Sequence, residues 1–194
     1  MTGESVQDRV EAVRARVKAA CLRSGRDPDS VRILPVTKNF GPDAVQALAA
    51  AGFRCMGENR VQEARQKIPE CSGLLEWHLI GHLQSNKVRE AVRIFSGIQS
   101  VDSERLLRLI DGAAREEGKT LPVFLEVNVA GESSKFGLRP EAVGSVLDAA
   151  RELFRVRIVG LMTVPPVVAD PAEARPWFQA LRALRDRLQE ERGV

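Results

Sequence analysis

Lys38, His78 and Asn128 are the residues whose types and places could do chemistry together. Lys38 ends the apolar run VRILPVTK, Val31 to Lys38. Alternate residues of a strand point to opposite faces, so Lys38 shares a face with Leu34 and Val36. In α/β sheets, ligands gather at the carboxyl ends of strands. An ammonium at such an end, partly desolvated, is the group needed to condense with a carbonyl. A lysine there can also simply snorkel into water. The surrounding runs favour the first alternative. In LPVFLEVNV, Leu121, Val123, Leu125, Val127 and Val129 share one face, and Glu126 and Asn128 lie on the other. In LLEWHLIG, Leu75, Trp77 and Leu79 oppose Glu76, His78 and Ile80. A parallel strand buried on both faces is almost wholly apolar. Polar residues confined to one face instead imply helices on one side of the sheet and a polar interior on the other. Lys38, His78 and Asn128 then converge on one mouth. Buried polar groups that merely satisfy one another's hydrogen bonds are the alternative.

The elements that would position these residues follow a regular rhythm. A first helix is predicted from about Glu4 to Leu22, with Val6, Val10, Val13, Val17 and Cys21 in one stripe. Six units of apolar run, loop and amphipathic helix follow. The runs are VRILPVTK, FRCMG from Phe53, LLEWHLIG from Leu74, GIQSVDS from Gly97, LPVFLEVNV from Leu121 and VRIVGLMT from Val156. Pro42 and Pro140 suit first helical turns, Ser85 a helix cap, and Gly52 and Gly118 helix ends. The last helix presents Trp177, Leu181, Leu184 and Leu188 and runs to about Arg192. Strands alternating with helices imply a parallel sheet with right-handed crossovers, and no linker divides the chain, so residues 1–194 form one domain. The units average roughly 27 residues, and a closed (β/α)8 barrel needs eight of them in about 250 residues. The spacing therefore allows either an open six-stranded sheet or a barrel that stops early.

Composition excludes several classes of function. The 194 residues are 44% hydrophobic and 28% charged, as in an ordinary globular domain. With 29 basic and 26 acidic residues the net charge is only +3, and arginines alternate with glutamates along the helices. Nucleic acid is not an expected partner. Cys21, Cys55 and Cys71 form no CxxC pair and fit reduced thiols. The N-terminus lacks a hydrophobic signal core and no run approaches a membrane span, so a cytoplasmic protein with no membrane partner is expected. His78 and His82 fall on a strand and its following loop, and no metal site is expected. GAAREEGKT, from Gly112, has five residues rather than four between its glycines and is no phosphate loop. No GxGxxG follows the first run. GESSKFG, from Gly131, could present amides to an anion or be a plain turn.

In order along the chain, VTKNF, GENRVQEA, WHLIGHLQSNK, SVDS, EVNVAGESSKFGL and GLMTVPP resemble the pyridoxal 5′-phosphate homeostasis proteins. The resemblance covers essentially all of Met1 to Val194. It implies an α/β fold of (β/α)8 TIM-barrel type, similar to the barrel domain of alanine racemase, with an N-terminal helix and about six of eight units present. It also implies that Lys38 carries pyridoxal 5′-phosphate as a Schiff base, with Asn59, His78 and Asn128 as cofactor-mouth residues. Family members continue with segments resembling S-M-G-M-S and V-R-I-G-T on strands seven and eight, which supply a phosphate cradle and an arginine facing the pyridine nitrogen. Neither segment occurs here, so the expected domain is an incomplete barrel lacking strands seven and eight.

The expected function is that of a pyridoxal phosphate-binding protein in vitamin B6 homeostasis, without turnover or catalytic residues, with cofactor-dependent apo-enzymes as possible recipients. The alternative is a racemase or decarboxylase of the alanine racemase-like barrel type. Two-base racemisation needs an acid or base opposite the lysine. In the similar racemase that group is a tyrosine from a second domain, and this sequence has no tyrosine. A third possibility is a doubly wound domain with an unrelated ligand, in which Lys38 would be unreactive toward aldehydes.

Overall fold

The computed structural model describes residues 5–193, so Glu4, where the first helix was expected to begin, lies outside them. Helix α1 (Val6–Arg23) is started by Ser5, whose hydroxyl accepts the Asp8 N–H while the Asp8 carboxylate accepts the Ser5 N–H. Val10 and Cys21 of the predicted stripe are buried. Helix α2 (Pro42–Ala50) begins at its proline, and Gly52 follows it at φ +92°. The chain then alternates β1 (Cys55–Glu58), α3 (Val61–Lys67), β2 (Glu76–Leu79), α4 (Val88–Ile94), β3 (Gly97–Val101), α5 (Glu104–Glu116), β4 (Leu121–Glu126), α6 (Val143–Ala150), β5 (Val156–Met162) and α7 (Arg175–Arg192).

The five strands form one parallel sheet in the order β1-β2-β3-β4-β5. A doubly wound sheet reverses its strand order at a switch point. Here each strand pairs with the next one in sequence, as in a TIM-type barrel. Register joins Gly57 to His78, His78 to Gly97, and Glu126 to Met162. The helix-facing side carries the core: Met56, Leu79, Ile98, Leu121, Val123, Leu125 and Val127 are buried against α3 to α7. Helix α5 contributes Leu106, Leu107, Ile110, Ala113 and Ala114, all buried. A fully buried Leu or Ile contributes about 1.5–3 kcal/mol. The faces of β2 and β4 thus alternate as their sequences predict.

Two expectations need correction. Val31–Lys38 is not a regular strand; a single bridge, Val36 to Gly57, attaches it to β1. The Gly57 N–H donates to the Pro35 carbonyl and the Thr37 N–H to the Gly57 carbonyl. Proline has no N–H to extend such a ladder, and among the described residues no strand lies on the run's other side. The sheet therefore has five strands, not six, and Lys38 is exposed rather than partly desolvated. Ser85 does not cap α4; it opens a short 3₁₀ turn (Ser85–Lys87) that leads into the helix.

The start of β5 is tied down by one carboxylate. Oδ1 of Asp111, on α5, accepts the N–H groups of Phe154, Arg155 and Val156 at 3.0, 2.6 and 3.1 Å.

Candidate functional site

Paired residues of parallel strands present their side chains to the same face. The Val36–Gly57 and Gly57–His78 pairings put Val36, Gly57 and His78 on the interior face. Two residues further on, Asn59 and Ile80 share that face at the carboxyl end, while Lys38, two residues past Val36, lies in a turn. Contacts agree with this: a Cβ on Gly57 would meet Val36 Cγ2 at 3.3 Å, and one on Gly97 would meet the His78 ring at 2.9 Å.

At the carboxyl end of the sheet lies a cavity of about 250 Å³, lined by Asn59, His82, Glu126, Asn128, Ser134 and Phe136 among others. Its cover is the loop after β4. The Asn128 N–H donates to the Leu138 carbonyl and the Leu138 N–H to the Glu126 carbonyl, so the loop returns to its own root. The Asn128 side-chain amide donates to the Glu132 carbonyl at 2.7 Å and fastens the loop from within. Gly137 takes φ +112°, and a Cβ there would stand 2.8 Å from the Asn128 nitrogen. Only glycine suits both conditions. The loop tip is held by Phe136, stacked on His82, and Nδ1 of His82 lies 3.0 Å from Asp102 Oδ2.

Glu126 is the most perturbed acid of the mouth. Burial pushes its pKa from 4.5 up to about 7, and the Asp102 charge adds to the rise. It is thus half-protonated near neutrality and can donate or accept a hydrogen bond at the cavity wall.

His78 lies one layer deeper than the other predicted residues. Its Nδ1 is 2.9 Å from the Gln99 side-chain nitrogen, and burial lowers its pKa against the opposing charge of Glu76. Cys55, Glu76 and His78 offer ligand-type atoms within 4.8 Å of one another. The Cys55 thiol is pushed up to about 11 by burial, with Glu76 adding to the shift, so no thiolate is available there at neutral pH.

Asn59 and Asn128 line the cavity, Lys38 is an exposed turn residue at the sheet edge that does not line it, and His78 underlies the mouth. His82, Glu126 and Phe136 are additional residues of the mouth. The polar face of LPVFLEVNV already marked Glu126, whereas the His82–Phe136 contact spans 54 positions and carries no local signal.

A family model described as alanine racemase, N-terminal domain, matches residues 9–194. A pyridoxal phosphate homeostasis protein of Aquifex aeolicus is 38% identical over 188 residues, covering 96% of this chain and 82% of that protein. A solved structure of an unknown protein from Bifidobacterium adolescentis matches with a TM-score of 0.84 at 35% identity, covering 96% of this chain and 79% of that one. PipY of Synechococcus elongatus, solved with PLP bound, matches with a TM-score of 0.77 at 37% identity, covering 92% of this chain and 82% of that one.

Proposed function

Because the chain belongs to the alanine racemase N-terminal domain family and, within it, to the pyridoxal phosphate homeostasis proteins, we propose that it binds pyridoxal 5′-phosphate covalently through Lys38. The role is cofactor homeostasis: holding the cofactor and releasing it to cytoplasmic apo-enzymes, without turnover. The observation that carries this reading is the cavity at the carboxyl end of the sheet, with Asn59, Glu126 and Asn128 in its lining, at the end of the sheet where the edge run finishes in the Lys38 amine.

The residues present fit the group. The cofactor supplies an aldehyde that condenses reversibly with a primary amine, and Lys38 is such an amine, exposed two residues beyond the Val36–Gly57 bridge. Asn59 and Asn128 bring amides to the cavity wall and Ser134 a hydroxyl, donors and acceptors of the kind that ring and phosphate oxygens require. His78 supports the floor, its ring packed over Gly97 and its Nδ1 beside Gln99. Among the described residues no helix is long and apolar enough to cross a membrane.

Binding is favoured over racemisation by the acid–base inventory. Exchanging a proton on both sides of a substrate carbon requires two positioned groups, and this sequence offers no tyrosine to stand opposite Lys38.

Borohydride trapping after incubation with pyridoxal phosphate, followed by peptide mapping, tests the assignment. The label is expected on Lys38 rather than Lys87 or Lys135, and Lys38→Ala should abolish it. A label spread over surface lysines, or one that survives Lys38→Ala, overturns it. Conversion of free amino acids by the loaded chain would favour the racemase or decarboxylase alternative.

A further inference from the structure

Between β1 and α3, on the helix-facing side of the sheet, lies a buried charge cluster that takes no part in the cavity. Glu58 is fully buried and Lys67 only 6% exposed. The Lys67 ammonium donates to Glu58 Oε1 at 2.7 Å, to the Thr37 carbonyl at 2.7 Å and to Glu63 Oε1 at 3.0 Å. The Thr37 hydroxyl donates to the same Glu58 oxygen. Glu63 Oε1 also accepts the Asn39 N–H at 2.6 Å. Thr37 and Asn39 are the two neighbours of Lys38, and both are tethered to one buried ammonium and its carboxylates. Asn39 is held at φ 65°, a left-handed conformation that asparagine tolerates but rarely adopts.

A buried ion pair is weak evidence for a stabilising role. Burying two charges costs desolvation, and an apolar pair of similar volume is often as stable or more so. Glu58 Oε2 is moreover buried with no hydrogen-bond partner among the described residues. What the cluster supplies is geometry. A single bridge, Val36 to Gly57, ties the Lys38 segment to the sheet. Slippage by one residue would turn every side chain of that run to the opposite face. The Thr37 hydroxyl and carbonyl are both held by this cluster, which fixes the backbone immediately before Lys38.

We infer that Glu58 and Lys67 are positioning residues for Lys38, a buried pair that sets the face and register of the residue carrying the amine. The inference rests on Lys38 being the cofactor anchor; neither Glu58 nor Lys67 touches the cavity. Burial disfavours the Lys67 ammonium, but the hydrogen bonds and charges of Glu58 and Glu63 outweigh it and hold its pKa above the ordinary lysine value.

The test uses the full chain with both charges removed at nearly constant volume, Glu58→Gln with Lys67→Met, and with Thr37→Val as a milder variant in case the double variant does not fold. In the cofactor-free protein, amide exchange at Asn39 and Phe40 should accelerate at least tenfold, while exchange in α5 is unchanged. With pyridoxal phosphate and borohydride, labelling of Lys38 should slow by tenfold to about a hundredfold, the latter being the cost of misplacing a reacting group by about an ångström. Labelling of Lys87 should not change. Thr37→Val should move both readouts in the same direction, several-fold. A folded double variant with wild-type exchange at Asn39 and wild-type labelling of Lys38 overturns the inference; wild-type values in folded Thr37→Val do the same if the double variant fails to fold. A wild-type chain that takes no label at Lys38 gives a different result: it overturns the anchor assignment and the inference with it.

Discussion

The imidazole of His82 lies flat against the ring of Phe136, with centroids 3.6 Å apart and planes 8° from parallel. This contact holds the tip of the loop over the mouth, while the Asn128 amide and the backbone bonds of Leu138 hold its root. Aromatic pairs contribute about 0.5–1.5 kcal/mol when offset or edge to face, and this nearly face-to-face pair on half-exposed Phe136 belongs at or below the lower end of that range. Phe136→Ala should therefore lower the melting temperature by only a few degrees, at about 2–4 °C per kcal/mol for a chain of this size. Tryptic cleavage after Lys135 should nevertheless accelerate several-fold. Unchanged cleavage would show that the fastenings at the root hold the loop without the stacked pair.

Glu126 makes stability depend on pH. Its carboxyl has a pKa near 7 in the folded chain, against 4.5 when unperturbed. Between those values the folded state binds more proton than the unfolded state, so stability falls as pH rises from about 4.5 to 7 and is level above that. The loss is on the order of 3 kcal/mol. Glu126→Gln should remove this component: the variant should match the wild type near pH 4.5 and exceed it at pH 8 in denaturant titrations. Parallel curves for the two proteins would count against a perturbed Glu126.

Gly81 is packed against Asn59 so closely that an added Cβ would stand 2.2 Å from the Asn59 carbonyl oxygen. That oxygen is backbone and cannot swing aside, so Gly81→Ala should displace Asn59 from the cavity wall and cost about 1–3 kcal/mol. Gly112, inside α5, has open space around its Cβ position. Gly112→Ala should stabilise by up to about 1 kcal/mol through helix propensity. Thermal melts of the two variants should shift in opposite directions.

Asp111 holds three backbone N–H groups at the entrance to β5 with one oxygen. Hydrogen bonds to a charged group contribute about 1.5–3 kcal/mol each and are not additive when shared. Asp111→Ala should cost about 3 kcal/mol in chemical denaturation, and Asp111→Asn, which keeps an acceptor, distinctly less. Equal losses would mean that α5 packing, rather than the oxygen, fixes the strand entrance.

Much of the site was legible in residue order because sheet geometry converts alternation into faces. Leu121, Val123, Leu125 and Val127 announce the helix side of β4, and Glu126 and Asn128 the interior. Pairing then placed the polar residues of different strands at one end. The edge run misled because VRILPVTK has a strand's composition, while pairing needs a partner and Pro35 lacks an N–H. Lys67 carried no signal of its own in the sequence. Its burial depends on Glu58, Glu63 and the Thr37 carbonyl meeting in space, which no periodicity encodes. His82 and Phe136 belong to different units, and only the closed loop brings them together.

The uninterrupted strand order has a consequence for synthesis. Each strand pairs with the one made just before it, so a nascent chain leaving the ribosome at about 5–20 residues per second has each new strand's partner already in place. Loop closure then spans one strand–helix unit rather than the whole chain, which keeps its entropic cost small. The growing molecule adds no more than one new unsatisfied sheet edge at a time, at its newest strand, instead of several waiting for distant partners, and this shortens the interval in which aggregation competes with folding.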